Sequence, residues 1–223
     1  MNRGQVSLFL AFALASGTSL AGLDTPCPSY DLEELRARRD YNAALVSPDR
    51  SVSGDWHRLR NVEEHHFNHN VRNLIRGQSV THPGGDLMFI LRVVPNHAPA
   101  LEALVRLAFR ERTDKPRGVA SRVHCTLELA VNFRPDDPKP RILYGIYLAK
   151  LGSIDEAISQ LEIAEKAAPN DANALYNLGL LYFQRGEYAA SLAYAKRAYS
   201  LGFPLAGLRE KLASRGLWLD EPQ

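Results

Sequence analysis

The sequence predicts an all-α solenoid, in which pairs of helices stack along one direction. The first observation is an internal repeat, since the ranges 138–171 and 172–205 are similar blocks of 34 residues. The second is that apolar residues within each block recur at the three- and four-residue spacing of an amphipathic helix. The third is that each block has a glycine near its middle and a proline near its end. Together these patterns predict two helices per block.

The composition is that of an ordinary globular protein, and it argues against several classes of function. The 223-residue chain has a formal net charge of +2, which disfavours a nucleic-acid binder with a large basic surface. Its hydrophobic fraction of 45% is too high for disorder throughout. The sequence has no Gly-x-Ser-x-Gly motif and no phosphate-binding loop, so we predict no enzymatic activity and no cofactor.

Residues 1–21 have the pattern of a signal peptide. Arg3 is the only charged residue among them, and the apolar run at 6–15 is shorter than the roughly 20 residues that a spanning helix needs. Ser19 and Ala21 place small residues at −3 and −1 of a cleavage site. We therefore expect cleavage after Ala21, export to the periplasm and no membrane span in the mature chain.

Residues 22–60 lack a clear period and contain several prolines, so they are predicted to form a mostly extended lead-in segment, with a short helix allowed at 32–44. Export gives a meaning to the two cysteines of the chain. In an oxidising compartment, Cys27 and Cys125 are expected to form a disulfide that ties this segment to the helical body. Two free thiols are the alternative.

The two blocks align at small residues, where two helices must approach closely. The aligned pairs are Gly145/Gly179, Gly152/Gly186, Ala157/Ser191 and Ala164/Ala198. This pattern resembles the tetratricopeptide repeat (TPR) family, which has the same period and small residues at the same places. The resemblance implies a TPR α-solenoid over 61–219. Its repeats are expected at about 97–137, 138–171 and 172–205, after a degenerate N-terminal repeat and before a capping helix within 205–219.

The degenerate repeat is expected to end in a helix from Asp86 to Val94, with Asp86 as its N-cap. The runs Glu63-Glu64-His65-His66-Phe67, Gly84-Gly85-Asp86-Leu87 and Pro95-Asn96-His97 are similar to a group of exported bacterial TPR proteins. That resemblance supports export and architecture but implies no activity.

Five of the seven histidines fall within 57–82, and this clustering raises the hypothesis of a metal site. His65 and His69 are four residues apart, so one helical face could present both to a metal ion. Further ligands could come from Glu64, His66 or His82. The alternative, which we favour, is that these histidines cap and solvate the degenerate repeat.

The concave groove is the remaining candidate site. The resemblance implies that the first helix of each repeat lines this groove. The matching positions are Ile142, Ile146, Lys150, Asn173, Tyr176, Leu180, Phe183 and Gln184. They are mostly apolar and aromatic, which suits an extended segment or an amphipathic helix with apolar anchors. Residues 22–60 of the chain itself could occupy part of the groove instead.

These patterns predict a periplasmic protein–protein interaction scaffold or assembly factor. Its partner is expected to be another protein or peptide of the cell envelope, bound in the groove, and not a nucleic acid. One alternative is a metal-binding periplasmic protein that uses His65, His66 and His69. Another is a cell-envelope structural protein that associates with itself through exposed helix faces.

Overall fold

The computed structural model describes residues 26–29, 38–49, 51 and 54–218. The predicted signal peptide lies outside these residues, as does the stretch 32–37 of the helix allowed at 32–44. Within the described ranges the regular structure is entirely helical, which confirms the predicted all-α class.

The helices follow one another as α1 (Tyr41–Val46), α2 (Asp55–His66), α3 (His69–Arg72), α4 (Pro83–Val93), α5 (Ala98–Glu111), α6 (Val123–Phe133), α7 (Pro138–Leu151), α8 (Ile154–Ala167), α9 (Ala172–Arg185), α10 (Tyr188–Ser200) and α11 (Gly207–Ala213). The chain divides into two compact units between Leu143 and Tyr144, inside α7. We call the described residues up to 143 the N-terminal unit and residues 144–218 the C-terminal unit. No helix in the described part of the chain is long and apolar enough to cross a membrane.

The lead-in segment contributes helices to the N-terminal unit, although we expected it to be mostly extended. α1 begins after Asp40, whose side chain accepts a hydrogen bond from the backbone N–H of Ala43 at 2.9 Å. Its Ala44 is buried against Leu59 of α2 and Val94. The segment therefore packs into a small apolar cluster of its own.

The start of α4 differs from the sequence-based expectation. The N-cap is His82, whose Nδ1 accepts from the backbone N–H of Gly84 at 3.2 Å, and Pro83 is the first helical residue. The prediction of Asp86 as N-cap is wrong. Asp86 lies in the first turn of α4, and its buried carboxylate accepts hydrogen bonds from the backbone N–H groups of Gln78 and Ser79.

In the C-terminal unit, α9 packs against α8, α10 and α11. Asp171 caps its N-terminus by accepting from the backbone N–H groups of Asn173 and Ala174. Gly186 ends it in the left-handed conformation, with φ of 85°, which a residue with a Cβ rarely adopts. This glycine is the turn residue that the repeat pattern placed between the two helices of the block.

Gly145 marks a close approach between α7 and α8, and its replacement tests the packing of the C-terminal unit. A Cβ at this position would lie 2.8 Å from Cγ of Leu161 and 3.1 Å from the carbonyl oxygen of Ala157. We expect Gly145→Val to lower the free energy of unfolding by about 1–3 kcal/mol through overpacking. Urea denaturation followed by circular dichroism measures this change. Lys150→Val, at an exposed position of the same helix, is the control and should change stability by less than about 0.5 kcal/mol.

Candidate protein-binding site

The structure separates the predicted groove residues into buried and accessible ones. Four apolar members are at most 7% exposed: Ile142, Ile146, Tyr176 and Leu180. Asn173 and Phe183 are half-buried, whereas Lys150 and Gln184 are exposed. A partner can therefore reach only the second set, which lies at the start of α9 and at the ends of α7 and α9.

The buried position of Tyr176 follows from packing around the C-terminal helix. Its ring stacks on Phe203 with centroids 4.1 Å apart, and both belong to an apolar cluster that includes Leu208 and Leu212 of α11. Burial raises the pKa of the Tyr176 hydroxyl to about 12. Tyr176 is thus a core residue of the C-terminal unit, not a surface contact.

Aromatic and cationic side chains meet where α9 ends, beside the accessible groove residues. Lys211 Nζ and Arg215 Cζ each lie 5.9 Å from the ring centroid of Phe183. Arg215 also lies 5.3 Å from the centroid of Tyr188, whose ring contacts Phe183 edge-on at 5.3 Å. We call Phe183, Gln184, Tyr188, Lys211 and Arg215 the basic aromatic patch. Cations at such distances are attracted by the ring faces, which holds the patch together.

Sequence reasoning found Phe183 and Gln184 but missed the other three members of the patch. Tyr188 begins α10, and Lys211 and Arg215 belong to the C-terminal cap or the turn after it. For this region the sequence predicts only a capping helix within 205–219. The repeat pattern contains no information on which turn of α9 Lys211 and Arg215 lie against, so nothing in the spacing could have identified them.

Comparison with known proteins agrees with the helix-pair architecture. The chain matches the tetratricopeptide repeat family over residues 145–203, within the C-terminal unit. Residues 145–203 are therefore a region of tetratricopeptide repeats. This confirms the family that the repeat positions predicted.

Two solved structures are similar to part of this chain. One, described as "Crystal structure of MamA", is 18% identical, with 61% of this chain and 78% of that chain covered and a TM-score of 0.47. Another, described as "Crystal structure of MamA protein", is 19% identical, with 62% and 69% covered and a TM-score of 0.41. Among curated proteins, none matches the chain.

The histidine-rich stretch of the N-terminal unit does not form the helical face that the metal hypothesis requires. α2 ends at His66, and Asn68 starts a separate helix by accepting from the backbone N–H groups of Asn70 and Val71. His65 and His69 therefore lie on different helices, and both are exposed. Neither belongs to a cluster of three potential metal ligands in the described chain. The assumption of one shared face is corrected accordingly.

Four histidines of the N-terminal unit are instead paired with carboxylates. The pairs are His66–Asp86 at 2.8 Å, His82–Glu111 at 2.9 Å, His97–Glu63 at 3.1 Å and His124–Asp114 at 2.7 Å. Each pair joins different parts of the fold, so these histidines fasten helices and loops to one another. Of these four, His66 and His82 belong to the stretch 57–82.

The His97–Glu63 pair makes the stability of the N-terminal unit depend on pH. Burial lowers the pKa of His97 from 6.5, and this effect outweighs the opposing hydrogen bond and negative charge of Glu63 at Nε2. Nδ1 of His97 accepts the backbone N–H of Ala100. Burial alone would raise the pKa of Glu63, but the hydrogen bond from His97 and nearby positive charges outweigh it, so that pKa is lowered from 4.5. The folded state therefore binds fewer protons than the unfolded state at both groups.

We expect the melting temperature to fall as the pH drops below about 6.5, where His97 gains a proton in the unfolded chain first, and further below about 4.5, where Glu63 does so. His97→Gln should weaken the dependence between pH 7 and pH 5, which thermal denaturation at a series of pH values measures. His65→Gln, at an exposed position, is the matched control and should leave the curve unchanged. Equal pH curves for the His97 variant and the unaltered chain would contradict this assignment.

The predicted disulfide is present. Cys27 and Cys125 are bonded, with Cα atoms 5.3 Å apart and a sequence separation of 98. Cys125 lies on α6 and is 2% exposed, whereas Cys27 is half-buried. The bond attaches the start of the lead-in segment to the helices of the N-terminal unit.

Proposed function

We propose that this protein is an exported interaction scaffold that binds a polypeptide segment of the cell envelope. TPR arrays present extended surfaces to other proteins and need no reacting group to do so. The disulfide supports action outside the cytoplasm, because such bonds persist in oxidising compartments. Export through cleavage after Ala21 is part of the proposal.

The basic aromatic patch is the observation that carries the binding proposal. Phe183 is accessible in part, and Lys211 and Arg215 flank its ring. Aromatic and arginine side chains are over-represented at the centres of protein interfaces, where an apolar anchor and directed charge act together. The partner segment that suits this surface has an apolar side chain for Phe183 and an acidic one for the two cations. Lys150 and Asn173, the other accessible groove residues, extend the proposed contact.

Affinity capture from envelope extract tests this function. The bait is the full mature chain, compared with a Phe183→Ala/Arg215→Ala variant. Because Phe183 also packs against the apolar cluster of Tyr176, circular dichroism must show the same helicity for the variant and the unaltered chain. Lys196→Ala/Ser200→Ala is the matched control, since both of its positions are exposed on α10. We expect the control variant to capture as much partner as the unaltered chain. The patch variant should capture at least about tenfold less partner, because two central contacts are removed. Equal recovery by all three baits would overturn the proposal.

The same experiment bears on self-association. If the captured polypeptide is a second copy of this chain, the structural-protein alternative is favoured instead of a scaffold for other proteins. Variants at Tyr176 and Leu180 are unsuitable for this test, because both residues are buried and their truncation would reduce stability.

A further inference from the structure

The disulfide of the N-terminal unit lies against a buried imidazole. Nε2 of His124 is 3.2 Å from Sγ of Cys125, its neighbour on α6. Cys27, His124 and Cys125 place their sulfur and nitrogen atoms within 4.8 Å of one another, a grouping with no counterpart elsewhere in the described chain. His124 is only 3% exposed. A buried base in contact with one sulfur of a disulfide is not required for a purely structural bond.

His124 is held in this position by Asp114. The carboxylate accepts from Nδ1 of His124 at 2.7 Å and from the backbone N–H of the same residue at 3.1 Å. Asp114 is itself 5% exposed, and Arg122 lies 3.7 Å from the oxygen that Nδ1 contacts. A carboxylate bonded to one ring nitrogen fixes the ring orientation, which directs the other nitrogen at the sulfur. The order carboxylate, imidazole, sulfur is that of an activated cysteine.

We propose that Cys27–Cys125 is a reactive disulfide that exchanges with external dithiols, and that His124, positioned by Asp114, stabilises Cys125 as the leaving thiolate. This goes beyond the proposed scaffold function and does not depend on it. The substrate class is a small dithiol or a protein with a pair of reduced cysteines.

The geometry fixes which sulfur is attacked. Cys27 is the more exposed partner, whereas Cys125 is buried beside His124. An external thiolate attacks Sγ of Cys27, and the bonding electron pair leaves on Sγ of Cys125, where the proton at Nε2 of His124 neutralises it. The second thiol of the dithiol then attacks the mixed disulfide and releases Cys27. The dithiol is oxidised by two electrons to a disulfide. One of its two protons ends on Cys27, and the other replaces the proton that His124 gave to Cys125.

Opening of the disulfide by dithiothreitol at pH 7 tests the proposal. The full mature chain, His124→Asn and the exposed control His65→Asn are sampled over time, quenched in acid, and analysed by mass after alkylation. We expect His124→Asn to open at least about tenfold more slowly and His65→Asn to open at the rate of the unaltered chain. If His124 served packing alone, its replacement would loosen the site and speed the opening. An equal or faster rate therefore overturns the proposal.

A second measurement keeps the test decisive if His124→Asn does not fold. The unaltered chain is treated with reduced glutathione, quenched by alkylation, and digested to locate the trapped mixed disulfide. We expect glutathione on Cys27 and an alkylated Cys125. Glutathione on Cys125, or equal amounts on the two cysteines, contradicts the assigned leaving group.

Discussion

Loss of the disulfide is expected to lower the free energy of unfolding of the N-terminal unit by about 2–4 kcal/mol. The bond joins positions 98 residues apart, so it removes many conformations from the unfolded chain. Cys27→Ser and Cys125→Ser should both show this loss of stability. The double variant should be no less stable than the less stable single variant, because either substitution already opens the loop.

Urea denaturation under oxidising conditions measures these three variants. Cys27→Ser is the cleaner of the single variants, since Cys125 is buried and a serine there adds the cost of a polar group in an apolar site. Dithiothreitol added to the unaltered chain should reproduce the loss and leave the variants unchanged. Stabilities that agree within about 0.5 kcal/mol between the oxidised chain and Cys27→Ser would show that the bond constrains little.

Asn96→Ala is expected to destabilise the same unit by about 2–4 kcal/mol, because it disconnects a buried polar network. Asn96 is fully buried. Its Oδ1 accepts from the backbone N–H of Tyr41 at 2.8 Å, and its Nδ2 donates to Oδ2 of Asp137 at 3.1 Å. The same carboxylate oxygen accepts from Nδ2 of Asn42 at 2.8 Å. Truncation leaves the part-buried N–H of Tyr41 without its acceptor and removes a donor from the buried carboxylate of Asp137.

Asn73→Ala is the matched control for this prediction. Asn73 is exposed, and its side chain bonds only locally to His69 among the contacts described for it. We expect it to change stability by less than about 0.5 kcal/mol in the same denaturation experiment. Hydrogen exchange adds a local readout, since protection of the Tyr41 amide should be lost in Asn96→Ala and kept in Asn73→Ala. Retained protection in Asn96→Ala would contradict the role of the network in fastening α1.

The helix pairs of the array were predictable because their signals are local. A Cβ at Gly145 would lie too close to α8, whereas Gly152 and Gly186 have a left-handed backbone that residues with a Cβ rarely adopt. Apolar spacing identifies each helix between these glycines. The family match over 145–203 coincides with the strongest part of this pattern. The pairing of the disulfide was also predictable from the sequence, because two cysteines allow a single pairing.

The candidate site was predictable only in part, since its members come from elements without a shared period. The apolar face of α9 was predictable from the sequence. The sequence did not indicate that Leu208 and Leu212 of the seven-residue helix α11 belong to the same core as Tyr176. The sequence does contain a signal for the helix break after His66. Asn68 is a residue type favoured as an N-cap, and it starts the next helix. Buried histidine–carboxylate pairs join residues far apart in sequence, and no pattern along the chain specifies them.

Site-specific photo-crosslinking is the most direct test of the central claim, that the basic aromatic patch binds a polypeptide. A photoreactive amino acid at Gln184, an exposed member of the patch, is compared with one at Lys196, exposed on α10. We predict one discrete protein adduct from position 184 in envelope extract and none from position 196. The adduct at position 184 should be lost when Phe183→Ala is added. Absence of an adduct at 184, or the same adduct at both positions, would contradict this claim.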